Sequence, residues 1–181
     1  IAANISKIDP FNDVLTTDFD KALQSGQITM LGKEMDDMFI KEILSLNLND
    51  DIDKNINIVY TPLYGTGLIP VTRILKERGF HNVTIVEEQK NPDGTFPTTP
   101  YPNPENVSVF EIPKQYGKKT DADMIIATDP DCDRIAMMIK DNKEEYVFCT
   151  GTVSYTHLRA HETPEHLVCR LPLGKKKKQT H

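Results

Sequence analysis

Asp129, Asp131 and Asp133 stand at every second position of IIATDPDCDRI, directly after an apolar run and directly before Arg134. Carboxylates gathered this closely repel one another wherever the surroundings are less polar than water, so a loop that holds them together calls for a cation. The donors are hard oxygens, with no thiolate or imidazole required, which favours Mg²⁺ or a similar divalent ion over zinc. Mg²⁺ ordinarily keeps some octahedral positions for water or phosphate oxygen, so three carboxylates leave room for a phosphoryl group. The preceding MIIA has the form of a short buried strand, and open α/β sheets bind ligands at the carboxyl ends of their strands. Pro130 fixes one backbone torsion inside the loop.

A calcium helix-loop-helix site is excluded, because it needs Gly at its sixth position and Glu at its twelfth, where this chain has Arg134 and Lys140. Two other readings stay open on spacing alone. Asp129 could attack phosphate with Asp131 as the acid, although this leaves Asp133 and Arg134 without a part. The acids could also form a solvated turn with Arg134 in a surface ion pair. A second loop, TPLYGTGLIP, lacks the GxGxxG pattern of a dinucleotide site, and no GK[ST] follows. It reads either as a tight strand-to-helix turn with Pro70 near the helix start or as a ligand contact.

The elements that must position these loops follow from periodicity. TTDFDKALQSG predicts a short capped helix ended by Gly26. LGKEMDDMFIKEILSLNL predicts a longer one, with Leu31, Met35, Met38, Phe39, Ile43 and Leu46 on a face expected to pack into its own domain. NINIVYTP, VTRILKERGF and NVTIVEE then read as strand, helix and parallel strand, with Gly79 to Asn82 turning the chain. The five prolines between Asn91 and Pro104 demand a long loop, ordered or flexible. A helical piece is expected from near Pro104 into YGKK, interrupted at Pro113. DADMIIATDP gives a buried strand, and DRIAMMIKDNKEEYVFCTG gives two strands around Asp141-Asn142, added antiparallel to the sheet edge.

The 181 residues have 38% hydrophobic content and a net charge of −6. The acidity argues against nucleic acid or an anionic membrane as partner. No apolar run approaches the length of about 20 residues that a membrane helix needs. Cys132, Cys149 and Cys169 have no metal-ligand spacing, which points to a reducing, cytoplasmic setting. From about Val153 the chain changes character. Four of its five histidines and the run Lys175 to Lys178 fall there. His157 and His161 would share a helix face, but no patterned core supports them. Residues 153–181 resemble translated sequencing-adapter read-through and are expected to form a non-native or disordered tail.

TPLYGTGLIPVTRILKERGF, VEEQKNPDGTFPT, PNPENVSVFE and DADMIIATDPDCDRIAMMI together resemble, in that order, the α-D-phosphohexomutases of the phosphoglucomutase/phosphomannomutase branch. The resemblance implies a three-layer α/β/α domain with a mixed, mainly parallel sheet at 51–152. It also implies that residues 1–50 are the end of a preceding domain and a linking helix. By resemblance, Asp129, Asp131 and Asp133 bind Mg²⁺ and Arg134 stabilises charge on a phosphoryl group. The implied activity is that of an isomerase, an intramolecular phosphotransferase moving phosphate between the 1- and 6-positions of a hexose through a phosphoserine and a hexose 1,6-bisphosphate. The implied partners are those sugar phosphates and the remaining domains of a parent chain. Two departures stand out. No serine here lies in a TASHNP-type loop, so these residues alone are expected to be inactive, and Tyr64 replaces a histidine common in relatives. The alternative is a non-catalytic divalent-cation-binding or scaffold α/β domain.

Overall fold

The computed structural model describes residues 2–9 and 11–149. The chain divides into two units, Ile1–Phe39 and Ile40–His181. The first holds α1 (Ala2–Ile5), α2 (Phe19–Gln24) and the beginning of α3 (Lys33–Ser45). Asp18 caps α2 by accepting from the Lys21 amide at 3.1 Å, and Gly26 leaves the helix at φ 76°, as its sequence predicts.

The face expected to bury α3 does not do so. Leu31, Met35, Met38, Phe39 and Leu46 are exposed, Ile43 is half-buried, and the helix's buried residue is Ile40. Helical periodicity identifies residues that share a face, and it does not say what covers that face.

The second unit is a sheet between helices, built from β1 (Ile58–Thr61), α4 (Leu68–Glu77), β2 (Val83–Ile85), α5 (Glu111–Thr120), β3 (Met124–Thr128), β4 (Ile135–Lys140) and β5 (Tyr146–Cys149). The strand order is β2-β1-β3-β4-β5. β1 runs parallel to both β2 and β3, whereas β3-β4 and β4-β5 are antiparallel, so the mixed sheet divides evenly between the two pairings.

Side chains alternate across the pleat. Ile58, Tyr60 and Ile126 meet Val71 and Leu75 of α4 on one face. Val59, Ile125 and Ala127 meet Val109, Phe110 and the α5 residues Ile112 and Tyr116 on the other. This gives the three-layer α/β/α architecture.

The helical piece expected from near Pro104 begins later, as a 3₁₀ turn at Val107–Phe110 whose Ser108 amide is capped by the Asn106 side chain. Pro113 does not interrupt α5. It falls in the first turn, where its missing N–H has no carbonyl partner to lose. The proline-rich segment is the ordered kind of loop, with Asp93 accepting from the Thr95 amide and hydroxyl and with Thr99 and Pro104 buried. The tail expected at 153–181, with its histidines and Cys169, lies outside the described residues.

Register sets up the site. Thr61 at the end of β1 pairs with Ala127, one residue before the end of β3, so the loops 62–67 and 129–134 leave neighbouring strand ends. Thr128 and Ile135 pair across the second loop, which makes the aspartate segment the connection of a β-hairpin.

Candidate metal centre

Asp129 is the first residue of that hairpin loop and is fully buried. The Arg134 amide donates to its Oδ1 at 2.9 Å, and Arg134 Nε donates to its Oδ2 at 2.7 Å. The Asp129 amide in turn donates to the Arg134 carbonyl at 3.3 Å, so the loop's two ends close on each other. Inside it, the Cys132 amide donates to the Asp129 carbonyl at 3.0 Å, and Cys132 takes a left-handed φ of 62°. One oxygen from each of Asp129, Asp131 and Asp133 lies within 4.8 Å of the others, with Asp131 and Asp133 exposed. The structure therefore brings together all three carboxylates singled out from sequence, and Arg134 with them.

The electrostatics are those of too many anions for one guanidinium. Burial pushes the Asp129 carboxyl up, but the donors from the Arg134 backbone and side chain outweigh it and hold the group below the usual carboxylate range. Asp133 moves the other way, pushed up first by its hydrogen-bonded contact with Asp129 and then by the charges of Asp131 and Asp129. Arg134 Nε also lies 3.5 Å from Asp133. Each Asp129 oxygen accepts one bond from Arg134 and retains a second lone pair. The residues thus fit a hard divalent cation, which would relieve a crowding that Arg134 relieves only in part. The Arg134 guanidinium sits on the carboxylates themselves.

The sequence does not single out the residues that support this loop. Gly65 touches it so closely that an added Cβ would stand 2.3, 2.4 and 2.6 Å from Pro130 backbone atoms. The Thr66 amide donates to the Pro130 carbonyl at 2.8 Å. Gly67 caps α4, and a Cβ there would meet Tyr60 Oη at 2.4 Å, Thr128 Oγ1 at 2.8 Å and Cys132 Sγ at 3.0 Å. TPLYGTGLIP forms a tight strand-to-helix turn with Pro70 in the first turn of α4, and its glycines admit the neighbouring loop. The paired glycines are the only trace of this in the sequence, since close approach is one of glycine's uses.

Leu63 and Tyr64 hold the turn in left-handed backbone, at φ 46° and 66°. Thr61 Oγ1 accepts from the Leu63 amide and the Gln89 carbonyl from the Tyr64 amide. The Tyr64 hydroxyl has a polar role of its own. It bonds Thr98 Oγ1 at 2.7 Å and accepts from the Thr98 amide at 3.2 Å, with its ring edge-to-face on Phe96.

Both loops fall inside residues 37–143, which match the family described as "Phosphoglucomutase/phosphomannomutase, alpha/beta/alpha domain II". The chain belongs to this family. Among phosphoglucomutase/phosphomannomutase relatives, it is 31% identical to the phosphoglucomutase of Staphylococcus saprophyticus over 91% of this chain and 31% of that protein. It is 34% identical to a probable phosphomannomutase of Haemophilus influenzae over 72% of this chain and 26% of that one. A phosphoribomutase of Saccharomyces cerevisiae is 33% identical, over 72% and 22% of the two chains. A crystal structure of a phosphoglucomutase/phosphomannomutase family protein from Burkholderia thailandensis superposes with a TM-score of 0.48 at 24% identity, covering 62% of this chain and 23% of that one. The chain spans between 22% and 31% of the length of these three curated relatives.

Proposed function

We propose that residues 51–152 are the metal-loop domain of a Mg²⁺-dependent phosphohexomutase, an isomerase that moves phosphate between the 1- and 6-positions of a hexose through a phosphoserine and a hexose 1,6-bisphosphate. On this reading residues 1–50 end the preceding domain and link to this one, and residues 153–181 are a non-native tail.

Asp129, Asp131 and Asp133 hold the ion. Arg134 keeps Asp129 ionised and aimed, and its half-exposed guanidinium adds a fixed positive charge beside the loop for an anionic phosphoryl group. When bound, Mg²⁺ supplies charge neutralisation for phosphoryl transfer. The acidic body disfavours nucleic acid as a partner, and sugar phosphates fit a cationic centre once the metal is present. Cys132, Cys149 and Cys169, with no metal-ligand spacing among them, support a cytoplasmic setting. No helix among the described residues is long and apolar enough to cross a membrane.

The observation that carries the reading is the convergence of three carboxylate oxygens within 4.8 Å, inside the part of the chain that matches the mutase domain. With no TASHNP-type serine in the sequence, a polypeptide of these 181 residues alone is expected to bind the ion without turning over hexose phosphate. Titrating Mg²⁺ or Mn²⁺ into this chain and into its Asp131→Asn variant tests the assignment. The native chain should bind and the variant should bind at least about tenfold more weakly. Equal binding by the two would remove the metal assignment.

A further inference from the structure

We propose that Tyr60 and Thr128 are positioning residues for the aspartate loop: their buried hydroxyls, seated with Cys132 Sγ against the bare Cα of Gly67, set the spacing of Asp129, Asp131 and Asp133 and hence the affinity for a divalent cation. This rests on the metal reading above and adds the residues that tune it.

Tyr60 lies on β1, between β2 and β3, with none of its surface exposed, where a phenylalanine would fill the same volume. A buried phenol needs a partner, and it has one in Thr128 Oγ1 at 2.8 Å. Thr128 is the last residue of β3 and the covalent neighbour of Asp129. Its hydroxyl and Cys132 Sγ crowd the same point, since an added Cβ on Gly67 would stand 2.8 Å from one and 3.0 Å from the other. The strand end that launches the loop and the residue at the loop's middle thus meet at one seat.

Cys132 is half-buried while its neighbours Asp131 and Asp133 are exposed, so turning the thiol inward goes with turning those two carboxylates outward. Cys132 does this at a positive φ, which a side-chain-bearing residue keeps only where tertiary contacts hold it. The seat is available because residue 67 has no side chain: a Cβ there would lie within 3.0 Å of all three polar atoms. Thr128 is 3% exposed and Tyr60 is wholly buried, so both act on the ion through the loop.

The test uses the whole 181-residue chain and Mn²⁺ as probe. Thr128→Val keeps the shape and removes the hydroxyl, Tyr60→Phe removes only the phenolic oxygen, and Thr128→Ser restores the hydroxyl. Both hydroxyl deletions should weaken Mn²⁺ binding about tenfold, and Thr128→Ser should bind as the native chain does. In the metal-free chain, amide exchange at residues 129–134 should quicken in Thr128→Val while α5 amides keep their protection, which separates loop positioning from a general loss of stability. If Thr128→Val fails to fold, Tyr60→Phe and its exchange pattern carry the decision. Native affinity in both hydroxyl deletions, with Asp131→Asn impaired, would overturn this inference and leave the metal reading standing. No Mn²⁺ binding by the native chain would overturn both.

Discussion

The loops at 62–67 and 129–134 leave adjacent strand ends and are built on opposite terms. In the glycine loop every residue except Thr66 is buried, and none carries charge at neutral pH. In the aspartate loop four of six residues are charged, and Asp129 alone is fully buried. The charged loop has the donor chemistry but would spread if left alone, because its carboxylates repel. The uncharged loop fixes position, through Gly65 against Pro130 and through the Thr66 amide on the Pro130 carbonyl. The spacing of the carboxylates at these strand ends therefore depends on residues outside the acidic cluster.

The comparison breaks most severely at Gly65. A methyl there would lie 2.3 to 2.6 Å from backbone atoms of Pro130, which cannot rotate away. Gly65→Ala should lower stability by about 3 kcal/mol and abolish cation binding, read by urea denaturation and Mn²⁺ titration. Gly94→Ala, with nothing within 4 Å of its added methyl, should stay within about 0.5 kcal/mol of the native chain and serves as the control.

The next largest effect lies in the charged loop and has opposite signs with and without metal. Asp133 has a raised pKa, so its contribution to stability is present below its unfolded value and is lost as pH rises through the raised folded value. Asp129 has a lowered pKa, so its contribution is present above its unfolded value and is lost as pH falls through the lowered folded one. Asp133→Asn should therefore raise the Tm of the metal-free chain at neutral pH and remove its decline above the usual carboxylate range. It should also weaken Mg²⁺ binding at least about tenfold. A lower metal-free Tm in Asp133→Asn would show that the carboxylates are not in conflict.

How far these loops could be read from sequence follows from the same contrast. Asp129, Asp131, Asp133 and Arg134 are adjacent in the chain, so their spacing announces a site before any fold is known. The strands around them are equally legible, because the short runs IVYT and MIIAT bury every residue or nearly so. The partners of the loop are not legible, because Tyr60 lies 68 residues from Thr128 and Gly65 lies 65 from Pro130. Only the parallel register of β1 and β3 brings them together. The exposure of the apolar face of α3 is illegible in the sequence for a related reason: its period is local, whereas its covering is a tertiary fact.

A third test removes support for the glycine loop without touching the charges. Gln89 is 1% exposed, accepts from Thr61 Oγ1 at 2.7 Å and donates to Thr98 Oγ1 at 2.9 Å. Gln89→Met keeps the volume and takes one partner from each hydroxyl, leaving Thr61 Oγ1 with the Leu63 amide and Thr98 Oγ1 with the Tyr64 hydroxyl, so it should cost about 1.5 kcal/mol in urea denaturation. Its backbone carbonyl still accepts from the Tyr64 amide, so ion affinity should change by less than about threefold if the loop is held mainly through its backbone. A collapse of affinity would mean that the side-chain network reaches the metal loop.

The smallest effect is expected at Tyr64. Its hydroxyl bonds the hydroxyl and amide of Thr98, on the side of the loop that faces the proline-rich segment. Tyr64→Phe keeps the edge-to-face contact with Phe96 and leaves Thr98 Oγ1 bonded to Gln89, so it should cost about 1 kcal/mol or less, with Mn²⁺ affinity unchanged. If affinity falls instead, the uncharged loop transmits its outer contacts to the ion, and the division of labour between the two loops is less complete than Gly65 and Asp133 imply. If it holds, Tyr64 anchors the proline-rich segment, and Gly65 and Thr66 carry the loop-to-loop constraint on this side of the site.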